Sequence, residues 1–396
     1  MDHQWMAVPI GIDAHRWVTR TGCRVVLAVV HTIVSCQRLL DVIDLVESDH
    51  RVQVVFTVAP DVFNRGVENY LRRLGALVVP WSQAVRERFD LALAASYGGL
   101  AEIHAPLVVM AHGAGFGKRA RPLDRGGPVA GKPPVYGLDT QRLVRAGRVL
   151  PSALVLAHES EREVLRRQCP AALPVAWVAG DICYDRLVRS RAQRAGYRRA
   201  LGLGDAESLV VVSSTWGRSG SFAAAPDLLP RLMTGLPAGH FRIAALLHPA
   251  VWAHGQRQVR AWTSDCRAAG LLLPGPTEDW RAVVAAADYV IGDHGSVTAY
   301  AAAAGVPVLC VADDEPSRAV PGTAQELVTR RAGRLRLDRP LAEQLCNAPP
   351  VDAATVAARL TSHPGKAAQR LRRLLYRLLD LAQPGRHRRV APVSVP

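Results

Sequence analysis

Two histidines at the ends of apolar runs are the first residues whose setting could do chemistry. His112 opens the stretch His112-Gly113-Ala114-Gly115-Phe116-Gly117-Lys118, directly after the run Leu107–Met110. Imidazole titrates near neutral pH, so a histidine placed there can take a proton from a substrate hydroxyl. Glycines let backbone N–H groups approach phosphate oxygens closely, which makes Gly113, Gly115 and Lys118 a candidate phosphate or acceptor site. The spacing is not that of a Walker A loop: three residues separate Gly113 from Gly117, and Arg119 follows Lys118. A turn that holds a structural histidine is the other reading. His248, in Leu246-Leu247-His248-Pro249, precedes a proline that ends strand pairing. Its ring would then project from the strand end, although a surface turn has the same pattern.

Two further segments carry groups suited to a diphosphate. Asp288-Tyr289-Val290-Ile291-Gly292-Asp293-His294-Gly295-Ser296 reads as a strand, a tight turn and an N-cap serine, followed by an alanine-rich helix. The free N–H groups and the positive dipole end of that helix suit an anion. Asp293, His294, Gly295 and Ser296 are therefore candidate diphosphate-binding residues. A well-capped crossover helix is the alternative. In Ser213-Ser214-Thr215-Trp216-Gly217, Thr215 and Trp216 lie just past another apolar run, where hydroxyls bind phosphate or cap a turn.

These segments need strands to position them, and the chain supplies two arrays. Arg24–Val30, Val52–Val58, Ala76–Val79, Leu91–Ala95, Leu107–Met110, Ala153–Ala157 and Val175–Val178 read as buried parallel strands between helical stretches, the first helix reaching about Ser48 and the next running from Asp61 to Leu74. An arginine-rich stretch, Arg186 to Arg199, interrupts. The alternation resumes with Leu209–Val212, Phe241–Leu247, Leu271–Leu273, Tyr289–Ile291 and Val306–Val311, with helices expected over Asp227–Thr234, Val251–Ala269, Asp279–Ala286 and Val297–Ala304. The expected division is an N-terminal extension (1–23), an N-terminal Rossmann-like domain (24–185), a linker (186–205), a C-terminal Rossmann-like domain (206–345) and a basic C-terminal helix and tail (346–396). A ligand is expected between two such α/β domains, at the carboxyl ends of their strands.

Composition sets limits. With 396 residues, 49% hydrophobic and 21% charged, the chain is globular and large enough for two cores. The formal charge is +15, which favours anionic partners. Aromatics are 6%, too few for a base-stacking platform, and no nucleic-acid recognition motif accompanies the charge. Seven scattered cysteines without a C-x-x-C pair fit a reduced cytoplasmic chain rather than a disulfide or zinc framework. Met1-Asp2-His3-Gln4 does not begin a signal peptide, and no run of about 18 apolar residues exists. The stretch Gly113 to Gly147, rich in glycine, proline and basic residues, is a long connection near the candidate site. In the basic C-terminal segment, Leu371, Leu374, Leu375, Leu378 and Leu379 form one apolar face. That face either packs on the N-terminal domain or lies on an anionic membrane at the inner surface.

Taken in order, the motifs resemble the CDP-glycerol glycerophosphotransferase family, the teichoic-acid polymerase type with a GT-B fold. His112-Gly113-Ala114 with Lys118 is similar to its His-Gly-Thr loop and following lysine. Ser214-Thr215-Trp216 resembles its Pro-Thr-Trp strand end, and His248-Pro249 its His-Pro. Asp293-His294-Gly295-Ser296 resembles its Asp-Tyr-Ser-Ser before a helix, and Val178-Ala179-Gly180-Asp181 its glycine-containing strand end. The sequence departs from the pattern at Ala114, at Gly295, in a lysine one residue late, and at Tyr300 where the family has an acid. The resemblance covers roughly residues 90–330. It implies a GT-B-like α/β fold and a transferase that moves a phosphopolyol or sugar from a nucleotide-activated donor to a hydroxyl of a cell-wall or secondary glycopolymer. His112 would be the base and His248 would hold the donor diphosphate. No cofactor and no metal is implied; no D-x-D motif is present. The donor stays open among a CDP-polyol, a CMP-sugar and a UDP-sugar, and the acceptor would be anionic or lipid-linked, with peripheral membrane contact. A UDP-N-acetylglucosamine 2-epimerase-like enzyme, relying on carboxylates such as Asp293 and Glu159, and an inactive nucleotide-binding protein of the same fold are the alternatives.

Overall fold

The protein was analysed as a computed structural model that describes residues 6, 8, 10–11, 16–120, 133–311, 319–385 and 390–395. The chain forms two compact units. The first holds residues 1–116, 120–182 and 365–389; the second holds 117–119, 183–364 and 390–396.

In the first unit, unbroken apolar runs become parallel strands because both sheet faces are covered. They are β1 (Arg24–Val30), β2 (Val52–Val58), β3 (Val78–Val79), β4 (Leu91–Ala94) and β5 (Leu107–Met110). A small antiparallel pair, β6 (Val144–Arg145) and β7 (Arg148–Val149), precedes β8 (Ala153–Leu156) and β9 (Ala176–Val178). The seven-stranded sheet has the order β3-β2-β1-β4-β5-β8-β9. The winding reverses between β1 and β4, which opens a crevice at their carboxyl ends. Val26 to Val30 and all of β4 are buried.

The C-terminal helix Ala367–Leu378 packs into this same unit. Leu371, Leu374, Leu375 and Leu379 are buried, so the apolar face that a membrane would need is already covered. Polar anchors fix the helix. Tyr376 Oη donates to Asp49 Oδ2 (2.8 Å) and Arg372 Nε to the Leu45 carbonyl (3.2 Å). Arg51 clasps the same Asp49 through Nε (3.0 Å) and Nη2 (2.7 Å). On the outer side, Arg370 and Arg377 lie over the Trp177 ring at 5.8 and 4.7 Å. Among the described residues, no helix is long and apolar enough to cross a membrane.

The second unit is a five-stranded parallel sheet. Its strands are β10 (Ser208–Ser214), β11 (Phe241–Leu247), β12 (Tyr289–Gly292), β13 (Val308–Val311) and β14 (Gly333–Leu335), in the order β11-β10-β12-β13-β14. Here the reversal falls between β10 and β12. Both units are thus doubly wound and Rossmann-like, as expected. The arginine-rich stretch is not a free linker: it forms helices Ile182–Ser190 and Arg194–Ala200 inside the second unit. Arg194 and Arg198 bind the two oxygens of Asp288 at 2.6 and 2.9 Å, and Asp288 Oδ2 also accepts from the Leu209 amide (2.8 Å). Residues 346–364 also belong to this unit, through helix Ala353–Leu360.

Glycine accounts for two of the local departures from the expected elements. Gly255 (φ +100°) breaks the long helix expected over 251–269, and Gly66 (φ +85°) delays the helix expected from Asp61 until Val67. The expected strand Leu271–Leu273 is reduced to a single bridge between Leu272 and Ala244. Residues 121–132 of the basic connection lie outside the described residues, as does most of the N-terminal extension.

The Asp49 cluster generates a prediction about acid stability. The Arg51 guanidinium holds the Asp49 carboxyl well below the usual carboxylate range. A depressed folded-state pKa gives stability that is present above the unfolded value and is lost as pH falls through the folded one. Replacing Asp49 with Asn should lower stability by about 1–3 kcal/mol at neutral pH and flatten the acid limb of a plot of denaturation midpoint against pH. An unchanged acid limb would show that Asp49 does not hold the helix.

Candidate functional site

In the second unit the loops after β10 and β12 meet at the switch point, and one buried carboxylate ties them together. Asp293 Oδ2 accepts from the Thr215 amide (2.8 Å), the Thr215 hydroxyl (2.9 Å) and the Ser221 amide (3.0 Å). Asp293 Oδ1 accepts from the Gly295 amide (2.9 Å). These four bonds satisfy a side chain that is 6% exposed. Gly295 is the N-cap of helix Ser296–Ala303, in place of the expected Ser296, and it contributes no side-chain cap. A Cβ at 295 would come within 2.7 Å of Thr215 Cγ2, so only glycine lets the two loops close this far. The first turn of the helix is left without a side-chain acceptor from its cap, and its dipole end faces the carboxyl ends of the strands.

His248 sits at the end of β11, beside β10. Its Nδ1 accepts from the Ala250 amide (3.1 Å). An acceptor nitrogen carries no proton, so the neutral ring holds its proton on Nε2 and is a donor there.

In the first unit, His112 follows β5, and its Nδ1 lies 2.8 Å from the Ala95 carbonyl at the end of β4. A carbonyl only accepts, so Nδ1 carries the proton and Nε2 keeps its lone pair. The two histidines therefore hold opposite tautomers: His112 is set to accept a proton, His248 to donate a hydrogen bond. The glycine loop beside His112 is also clamped by a buried carboxylate. Glu161 Oε1 accepts from the Phe116 amide (2.7 Å), and Oε2 from the amides of Ala157 (2.7 Å) and His158 (3.3 Å). Gly115 (φ +63°) lies so close that a Cβ there would sit 2.2 Å from Glu161 Oε1. Burial pushes the Glu161 carboxyl up to about 7, against the pull of the three amides. A raised carboxyl contributes fully below the ordinary carboxyl pKa, and that contribution is lost as pH rises towards 7. Beneath the loop, Arg38 Nη2 donates to the Gly113 carbonyl (3.0 Å) and Nη1 to Asp181 Oδ1 (3.3 Å).

The expected site residues thus fall into two groups. Thr215, Trp216, His248, Asp293, His294, Gly295 and Ser296 belong to the second unit; His112, Gly113 and Gly115 belong to the first. Two roles change in detail. The Thr215 hydroxyl donates to Asp293, so it offers a ligand a lone pair rather than a proton, and Asp293 organises loops where a direct ligand contact was expected. Trp216 is half-buried against the core of the second unit. The exposed Lys118 pairs through its backbone with Ala319, in the second unit. Glu161 and Arg38 were missed. Glu161 is the N3 residue of a capping box whose N-cap is His158, not the usual Ser or Thr, which hides the signal. Arg38 on helix Ile33–Ile43 reads as an ordinary polar helix position until the fold buries it.

No protein-family model matches the chain, and no curated protein matches it in sequence. Solved structures do. The wall teichoic acid polymerase TagF is 13% identical, with a TM-score of 0.58, over 91% of this chain and 90% of that one. UDP-GlcNAc 2-epimerase from Neisseria meningitidis, bound to UDP-GlcNAc, is 14% identical with a TM-score of 0.54, over 90% and 100%. The S. aureus MnaA–UDP co-structure is 11% identical with a TM-score of 0.52, over 94% and 100%. At such identities the likeness is one of fold: the chain has the GT-B-like architecture of two Rossmann-like α/β domains that the motifs implied.

The Glu161 clamp can be tested by isosteric substitution. A protonated carboxyl keeps a lone pair on each oxygen, whereas the amide nitrogen of Gln keeps none and would face a backbone N–H. Glu161→Gln should therefore lose about 1–3 kcal/mol at pH 5, and the difference should shrink at pH 8, where the native carboxyl has lost its contribution. Equal stability of the two proteins in denaturant melts at pH 5 would contradict the clamp.

Proposed function

We propose that the protein is a nucleotide-donor transferase, moving a phosphopolyol or sugar to a hydroxyl acceptor. The observation that carries this reading is the amino end of helix Ser296–Ala303. It lies at the switch point of the second unit, is ordered by Asp293 and has no side-chain cap of its own. Such an end binds a diphosphate through backbone N–H groups. Nε2–H of His248 would add a further donor for the charge that develops on the leaving nucleotide. His112 Nε2 would take the proton of the acceptor hydroxyl as that oxygen bonds to the transferred phosphorus or anomeric carbon. The bond to the nucleotide phosphate breaks in the same displacement, and the nucleotide leaves with the electron pair. The similar structures are compatible with this: one TagF structure was soaked with CDPG, and the Neisseria enzyme holds UDP-GlcNAc.

A CDP-polyol donor and a glycopolymer acceptor are the finer form of the proposal, with the protein placed in the cytoplasm. Anchoring to a membrane would have to use something other than the leucine face of the C-terminal helix, which is buried. The epimerase reading is weakened by Asp293, whose carboxylate is engaged by four donors of its own loops.

Thermal unfolding in the presence of CDP, UDP and GDP should show stabilisation by one nucleotide class. His112→Ala should leave that stabilisation unchanged and slow transfer by about 10²–10⁴-fold. Stabilisation by none of the three contradicts the donor site; full turnover in His112→Ala removes its role as base.

A further inference from the structure

A second cluster of charged groups stands at the opposite end of the second sheet from the candidate site. Asp288 immediately precedes β12 and Asp293 follows it, so the two carboxylates bracket one strand of four residues, about 13 Å long. Asp293 orders the carboxyl end. Asp288, at the amino end, is surrounded by cations. Arg191, Arg194 and Arg198 follow one another at spacings of three and four along a continuous helical stretch, so they share one face. Three guanidiniums thus stand against one carboxylate, and a guanidinium does not shed its proton in a protein.

The carboxylate cannot serve all three. Its Oδ1 accepts from Arg194 Nη2, and its Oδ2 from Arg198 Nη1 and the Leu209 amide. Arg198 is fixed further by the carbonyls of Glu207 (2.5 Å) and Gly204 (3.3 Å), both bound through Nη2. The Glu207 carboxylate, the next acid along, is engaged by the Gly204 amide (2.7 Å) and Arg242 Nε (3.3 Å). Arg191 is left over: its Nη1 is buried and has no hydrogen-bond partner. Burial and the charge of Arg194 both disfavour the Arg191 cation, against the pull of Asp288. Among the described residues, Arg194 donates through Nη2 alone, so its Nη1 and Nε also remain for another acceptor. The Arg194 side chain is 34% exposed and that of Asp288 29%, so the cluster opens to solvent.

We propose that Arg191 and Arg194 form a phosphate-binding site at the amino end of the second sheet, separate from the helix end at Ser296. A phosphate brings the acceptors that this face lacks. One oxygen can pair with Arg191 Nη1 while another takes Arg194, in charge-assisted bonds that also relieve the repulsion between the two guanidiniums. Asp288 does not exclude the anion, because its oxygens are turned to Arg194, Arg198 and Leu209 and its charge is outnumbered three to one. All of these residues lie in the second unit, and the site does not depend on the transferase reading.

The test uses the full chain labelled with ¹⁵N. Inorganic phosphate should shift the side-chain Nε–H signals of Arg191 and Arg194 saturably, with a Kd in the millimolar range, while sodium chloride at equal ionic strength leaves them in place. Arg191→Gln removes the unpaired cation and leaves the Asp288 pairs intact; it should weaken phosphate binding, followed at Arg194, by about tenfold. Should that variant not fold, Arg191→Lys, which keeps the charge and loses the fork, decides by the same signal. Dimethyl phosphate separates the sources of the ligand. If it binds as well, the site takes phosphodiesters; if inorganic phosphate alone binds, the site takes free phosphate or a monoester. Absence of a saturable shift, an equal response to chloride, or undiminished binding in the variant overturns the proposal.

Discussion

The candidate site depends on one carboxylate. A helix begins with amides that have no partner within it, and a protein ordinarily closes them with a polar side chain at the cap. Here the cap is Gly295, and the carboxylate that would serve as a cap stands two residues earlier. Asp293 spends its oxygens on the loops after β10 and β12, through Thr215, Ser221 and Gly295. The loops are fixed, and the cap itself supplies no side-chain acceptor to the first turn of the helix. The same bonds explain why Gly295 must be glycine: the closeness of Thr215 leaves no room for a side chain.

The first unit repeats this logic with a different residue. Glu161 binds three amides and fixes the turn after His112, so a histidine and a glycine loop leave β5 in a single geometry. In each unit a buried carboxylate orders backbone near a histidine whose tautomer is set by a main-chain group. Ala95 offers a carbonyl and Ala250 an amide, and that difference alone separates a proton acceptor from a hydrogen-bond donor. Conformational order is supplied before any ligand arrives, which is what electrostatic stabilisation of a transition state requires.

Much of this was legible in the sequence, for a physical reason. Buried parallel strands need continuous apolar runs, so β1, β2 and β11 could be read residue for residue, and the chemical residues stand directly after such runs. The parts that escaped depend on long-range contacts. Arg194 and Arg198 look like a solvated linker because Asp288, which neutralises them, is about ninety residues away in the chain. Glu161 is hidden because its N-cap is histidine. Arg38 and Asp181 are separated by 143 positions, and nothing local to either predicts the pair. The leucine face of the C-terminal helix was visible, but its partner was not; the covering surface comes from elements near the other end of the chain.

Amide chemical shifts report most directly on the central claim. With the protein labelled with ¹⁵N, titration with the nucleoside diphosphate that binds should shift the amide protons of Ser296 and Val297 downfield more than any others in the second unit, as they begin to donate to phosphate oxygens. If the nucleotide binds and those two amides stay in place while signals elsewhere move, the helix end is not the diphosphate site, and the account built on Asp293 is wrong.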